Sequence, residues 1–349
     1  MRGVVFLGER KLELQEFKDP TPGPGEVVLE IKASGMCGSD LKPYRAPRGG
    51  GVKDLGMKDL SAPVIAGHEP CGVVAAVGPY VPEAQARVGM RVMVHHYLGC
   101  GVCKHCRSGW SQLCLKGIVV YGITEHGAHA RYLKVPAATL VPLPDELSFE
   151  VGAAISCGTG TAYSALKRIG LSGRETVAIF GQGPVGLSAT QLAKAIGARV
   201  IALDVSGERL ALAKGFGADV TINPIKDDPV QTIKELTHGE GAELTMDCSG
   251  NPDARLAAIR STRTWGTMGF VGEGDKLTLD VSTDLMRRQL TLVASWTFNT
   301  VGQAECARFI ADRRIPVEKL FTHRYRLDQA EEAYKLFDTQ STGKGVFLQ

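Results

Sequence analysis

Residues 175–204 read Glu175-Thr-Val-Ala-Ile-Phe180, then Gly181-Gln182-Gly183-Pro184-Val185-Gly186, then Leu187 to Ile196, then Arg199-Val-Ile-Ala-Leu-Asp204. Thr176 to Phe180 is a short apolar run containing β-branched residues, as a buried parallel strand requires. Three glycines follow at once. Leu187, Leu192, Ala193 and Ile196 then recur with helical spacing, and a second apolar strand ends in an acid. This is the order a dinucleotide site needs. Gly181 permits a tight turn, Gly183 lets backbone approach a pyrophosphate, and Gly186 lets the helix pack close to the strand. Asp204 lies about twenty residues on, where a carboxylate accepts bonds from both ribose hydroxyls and repels a 2′-phosphate. NAD is therefore expected over NADP.

The β/α rhythm continues beyond Asp204. Segments 208–215, 230–237 and 254–263 read as helices, and 220–222, 244–248, 266–272 and 290–294 as strands. Six strands with right-handed crossovers predict a doubly wound parallel sheet. Arg209 reads either as a flank to the adenosine ribose or as a solvated helix charge. Val271 and Gly272, at a strand's carboxyl end, are expected to border the nicotinamide. The edge run 290–294 is a candidate for pairing between subunits.

Upstream the pattern changes. Short runs such as 12–16, 26–33, 73–77 and 91–94, separated by Pro/Gly turns, predict a separate β-rich, mostly antiparallel domain. Within it stand Gly35-Met-Cys37-Gly-Ser39-Asp40 and Gly67-His68-Glu69. Thiolate and imidazole are typical zinc ligands, and catalytic zinc usually takes three protein ligands with one position open. Alone, Cys37 reads as a buried thiol and His68 as a core histidine. Cys157, in a run of small residues on an expected helix from Phe149 to Leu166, is the natural third ligand.

Cys100, Cys103, Cys106 and Cys114 have the spacing C-x2-C-x2-C-x7-C. Four thiolates fill a tetrahedron, which is a structural zinc site. An iron–sulfur cluster, or His105 in place of one thiolate, are the rival readings, and the iron–sulfur spacings differ. Cys71, Cys248 and Cys306 are left as structural thiols.

Composition excludes several classes. The 349 residues suffice for two domains, and 40 basic against 37 acidic residues with no basic run argue against nucleic acid. The N-terminus reaches charge too early for a signal peptide, and no apolar run approaches the ~20 residues of a membrane span. A cytoplasmic α/β protein is the expectation.

Together these motifs, in this order and over the whole chain, resemble the zinc-dependent medium-chain dehydrogenases, the superfamily of zinc alcohol and sorbitol dehydrogenases. The resemblance implies a GroES-like catalytic domain (residues 1–155 and 295–349) carrying the zinc lobe, and an NAD-binding Rossmann domain (156–294). It implies catalytic zinc on Cys37, His68 and Cys157, with Glu69 beside it as an occasional alternative ligand. Asp40 resembles the carboxylate that orients the ligand histidine, Ser39 the inner hydroxyl of a proton relay, and Thr161 a residue near the nicotinamide. The implied reaction is reversible oxidation of a small alcohol to aldehyde or ketone by a homodimer or homotetramer. Polyols are alternative substrates, and an NAD-binding scaffold or sensor is the non-catalytic alternative.

Two departures stand out. Sorbitol dehydrogenases usually have glutamate near Cys157, and alcohol dehydrogenases often have histidine where this chain has Lys42. Tyr44, His95, His96 and Trp296 are pocket candidates, and the stretch 48–63 reads as an entrance or a surface loop. Lys344 reads as an exposed terminal lysine or a phosphate contact.

Overall fold

The computed structural model describes residues 1–47 and 63–349; most of the stretch 48–63 lies outside them. The chain divides into two units, one of residues 1–160, 298–340 and 344–349, the other of 161–297 and 341–343.

The first unit is built on a largely antiparallel seven-stranded sheet. Its spine is Glu26–Gly35, ten residues long and buried along most of its length. One edge pairs with Glu69–Val77, with Gly35 opposite Glu69. The other edge is shared: Glu26 to Glu30 pair with Tyr132–Pro136, and Ala33 to Gly35 with the C-terminal strand Lys344–Leu348. Arg91–Val94, Leu140–Pro142 and Phe321–Tyr325 complete it. The chain's last strand is thus the neighbour of the loop that carries Cys37. Val27, Leu29, Ile31, Val92 and Val94 form the core on one side, while Val4, Met36, Tyr44, Tyr334 and Phe347 form a second cluster.

The second unit has six parallel strands in the order Val220–Ile222, Arg199–Leu203, Thr176–Phe180, Ala242–Asp247, Thr262–Phe270, Thr291–Ala294. This is the doubly wound sheet expected, with strand order reversing beside Thr176–Phe180. Helix Pro184–Ile196 starts with proline at its first turn and stops at Gly197 in the left-handed region, the usual start and stop chemistry. No described helix is long and apolar enough to cross a membrane.

One element differs from expectation. The helix expected from Phe149 to Leu166 is two, Phe149–Ile155 and Gly158–Arg168. Cys157 stands at the break, where its thiol is not committed to one helix face.

Candidate functional site

Strand register assembles a cluster of donors in the first unit. Cys37 follows the end of the spine strand, while His68 and Glu69 open the strand paired with it. Ligand atoms of Cys37, His68, Glu69 and Cys157 all lie within 4.8 Å of one another. The two sulfurs are 3.9 Å apart and free of a disulfide. The hydrogen bond from the Cys157 thiol holds Cys37 well below the ordinary thiol range, against the cost of burial.

Asp40 organises these groups. Its Oδ2 accepts the Cys37 backbone N–H at 2.8 Å, and its Oδ1 faces His68 Nδ1 at 2.9 Å. A carboxylate at Nδ1 fixes the proton there, so Nε2 is left as the lone-pair donor. Ser39 Oγ lies 3.1 Å from that Nε2 and donates to Cys37 Sγ at 3.3 Å.

Glu69 is fully buried, and neither carboxylate oxygen has a hydrogen-bond donor. Its counter-charge is Lys344, Nζ to Oε2 at 2.5 Å. Lys344 is 1% exposed and donates to the Met36 carbonyl at 2.9 Å. Lys344 is therefore neither an exposed terminal lysine nor a phosphate contact, because strand pairing carries it under the ligand loop. Gly35 makes room here: a Cβ would stand 2.0 Å from Glu69 Oε2. Two thiols, an imidazole with Nε2 free and an unbonded carboxylate are a donor set that fits zinc.

The pocket candidates separate. Tyr44 is 2% exposed and packs against Phe6 and Tyr334, so it is core. His95 is locked between the Tyr97 and Phe298 carbonyls, and burial keeps its pKa low. His96 lies against His68, ring centroids 5.1 Å apart, and its Nδ1 donates to the Ser156 carbonyl at 2.9 Å. Burial holds it neutral, with Nε2 an acceptor. Trp296 is in the second unit, partly exposed, with its indole donating to Glu69's distant counterpart Glu273 at 2.6 Å.

A second donor set is the loop of Cys100, Cys103, Cys106 and Cys114, four free thiols in mutual reach. Cys103 Sγ is 3.5 Å from Cys106 Sγ and 4.0 Å from Cys114 Sγ. Backbone N–H groups pull Cys103 down to about 6, as a thiolate site requires. Cys71 and Cys306 are buried thiols with raised pKa values, remote in role from either set.

In the second unit the glycines meet three different demands. Gly181 has φ +90°, and a Cβ on Gly186 would fall 1.8 Å from the Gly181 carbonyl oxygen. A Cβ on Gly183 would meet only Arg209 Nη1 at 4.0 Å, which leaves open space over the helix start. Asp204 is 7% exposed and accepts from Gln182 N at 2.6 Å and Ser206 N at 2.8 Å. Arg209 is not a solvated charge: Nε donates to the Thr342 carbonyl at 3.2 Å, and Nη1 lies 3.9 Å from Asp204 Oδ2. Val271 and Gly272 directly follow Thr262–Phe270, and both N–H groups donate to the Asp247 carbonyl. Thr161 is buried near the start of Gly158–Arg168.

A doubly wound nucleotide sheet and a β-rich unit with two zinc-type donor sets define a zinc-dependent oxidoreductase fold. The chain belongs to the zinc-dependent medium-chain dehydrogenases: residues 23–145 match the alcohol dehydrogenase GroES-like domain and residues 184–312 the zinc-binding dehydrogenase family. It is 40% identical to the uncharacterized zinc-type alcohol dehydrogenase-like protein YphC of Escherichia coli, across 99% of this chain and 98% of that protein. It is 32% identical to an L-threonine 3-dehydrogenase of Pyrococcus horikoshii, across 96% and 94%. Among solved structures, an NAD-dependent alcohol dehydrogenase superposes with a TM-score of 0.87 at 30% identity, across 100% of both chains.

Sequence reasoning missed three residues near the donor set. Lys344 was assigned elsewhere, and His129 and Tyr334 were not singled out. All three are buried polar groups whose partners lie far away in the chain, so no local spacing marks them.

Proposed function

We propose that the protein is an NAD-dependent alcohol dehydrogenase that oxidises a small primary or secondary alcohol to aldehyde or ketone, reversibly. Residues 1–155 and 295–349 carry the chemistry, and 156–294 bind the cofactor. One observation carries the reading: four donor atoms from Cys37, His68, Glu69 and Cys157 within 4.8 Å, with Asp40 fixing the imidazole.

Cys37, His68 and Cys157 hold the metal, and Glu69 is kept beside it by Lys344. Bound zinc supplies Lewis acidity that lowers the pKa of an alcohol at the site. Ser39, beside Cys37 Sγ and His68 Nε2, takes the substrate's proton and passes it outward. His96 offers a neutral acceptor on the same side as His68. Cys100, Cys103, Cys106 and Cys114 hold a second, structural zinc.

In the second unit, the N–H groups after Gly181 receive the pyrophosphate at the start of helix Pro184–Ile196, with Pro184 and Val185 in its first turn. Asp204 accepts the adenosine ribose hydroxyls with Arg209 beside it. Thr161, Val271 and Gly272 border the nicotinamide. We assign the enzyme to the cytoplasm as a homodimer or homotetramer.

The test combines metal content with a panel of alcohols, polyols and 3-hydroxy amino acids, followed by NADH absorbance. Two zincs per chain and NAD reduction with at least one alcohol are expected. One zinc and no turnover on the whole panel would point to a non-catalytic NAD-binding protein.

A further inference from the structure

We propose that Ser34, His129 and Tyr334 form a buried hydrogen-bond chain, running in one direction, that positions Asp40 and through it the imidazole of His68. The inference rests on His68 being a zinc ligand. Ser34, His129 and Tyr334 are fully buried, and Asp40 is 2% exposed. Ser34 Oγ lies 2.7 Å from His129 Nδ1, and His129 Nε2 lies 2.8 Å from the Tyr334 hydroxyl. The Tyr334 hydroxyl in turn is held by the carboxylate of Asp40: burial pushes its pKa up first, and the charge and hydrogen bond of Asp40 add to that.

The direction follows from donor counts. An ionised carboxylate only accepts, so the Tyr334 hydroxyl donates to Asp40. Its oxygen then accepts from His129 Nε2–H. Burial keeps the His129 imidazole neutral, with a pKa pushed down to about 4. A neutral ring has one N–H, so Nδ1 accepts from the Ser34 hydroxyl. Each group fixes the next, and the series ends on the carboxylate that also takes Cys37 N–H and His68 Nδ1–H.

The fold keeps a place for this chain. Gly67, next to His68, has φ +91°, and a Cβ there would stand 2.3 Å from His129 Nδ1. Ser34 is on the spine strand, and Tyr334 comes from helix Ala330–Asp338, where its ring is clasped by Phe6 at 4.8 Å. Three elements distant in sequence are thus tied to one carboxylate. A buried polar series of this kind is stable only when every member is satisfied. These are positioning residues: none is among the metal donors.

The experiment follows zinc loss from the full-length, zinc-loaded protein to a chromophoric chelator. The two release phases are assigned with Cys157→Ser, which lacks one of them. In Tyr334→Phe the phase of the Cys37/His68/Cys157 zinc speeds up about tenfold, the scale found for partners behind metal ligands, while the four-cysteine phase stays constant. His129→Gln, which retains an N–H donor, stays closer to the parent than His129→Leu. Nitrogen-15 shifts of the unsubstituted protein show His129 protonated at Nε2 and not at Nδ1, a readout independent of any variant's folding. Unchanged release in Tyr334→Phe and His129→Leu, equal acceleration of both phases, or a proton on His129 Nδ1 overturns the inference. A parent protein with a single zinc, in the four-cysteine loop, overturns the ligand reading beneath it instead.

Discussion

Lys344 Nζ stands 2.5 Å from Glu69 Oε2, with both side chains out of solvent and 275 positions between them in the chain. The carboxylate raises the ammonium's pKa above its ordinary value, against the cost of burial. Breaking such a pair on one side leaves an uncompensated buried charge. Lys344→Met is expected to cost about 3–5 kcal/mol, and adding Glu69→Gln to recover most of it. Urea unfolding of the two single variants and the double variant measures this coupling; additive losses would rule it out.

Cofactor choice is expected to turn on Asp204. Asp204→Ala removes the carboxylate that repels a 2′-phosphate and leaves Arg209 Nη1, 3.9 Å from Asp204 Oδ2, without it. The NAD over NADP preference in kcat/KM is expected to fall on the order of 10- to 100-fold, about 1.4–2.8 kcal/mol. An unchanged ratio would remove Asp204 from the ribose site.

Turnover and cofactor binding are expected to separate. Cys37→Ser or His68→Ala should reduce turnover to background while NADH fluorescence titration still gives a measurable Kd, since the glycine loop is in the other unit. Full activity in either variant, with metal content verified, would contradict the zinc role.

The four-cysteine loop is expected to depend on metal locally. With few buried residues of its own, residues 100–114 have little core to hold them. In Cys106→Ser, or after chelation, protease cleavage within 100–114 is expected to accelerate roughly tenfold or more as that segment opens. Cleavage sites mapped by mass spectrometry decide the point, and protection equal to the parent's would deny a metal in this loop.

Acid sensitivity has a named contributor. His129 has a folded pKa pushed by burial to about 4, against 6.5 for the free side chain. Between these values the unfolded chain binds a proton that the folded chain does not. Stability therefore rises with pH across that window and is lost as pH falls through it. The full effect is roughly 3 kcal/mol. Compared by urea unfolding at pH 7 and pH 4.5, the parent should lose more stability than His129→Gln; equal losses would show that His129 titrates normally.

Much of this protein was legible without coordinates because the signals are local. The glycine loop needs one turn and one close approach, and Gly181 and Gly186 meet those demands as their spacing implied. The spacing of Cys100, Cys103, Cys106 and Cys114 closes a donor set within one loop, so proximity follows from chain length alone. Parallel strands followed from uninterrupted apolar runs and the crossovers between them. The helix across Cys157 was misjudged because small residues give no strong periodicity; the break appears only where Ser156 and Cys157 pack.

Sequence by itself determined the two-part architecture, the thiols and imidazole available for metal, and the acid at the end of the second nucleotide strand. Only tertiary structure decided that Lys344 lies beneath Glu69 and that Ser34, His129 and Tyr334 stand in line behind Asp40. Those contacts depend on strand register between segments as far apart as Met36 and Lys344, 308 residues. A shift of one residue would turn each side chain to the opposite face, and no spacing within a short window records which register the folded core selects.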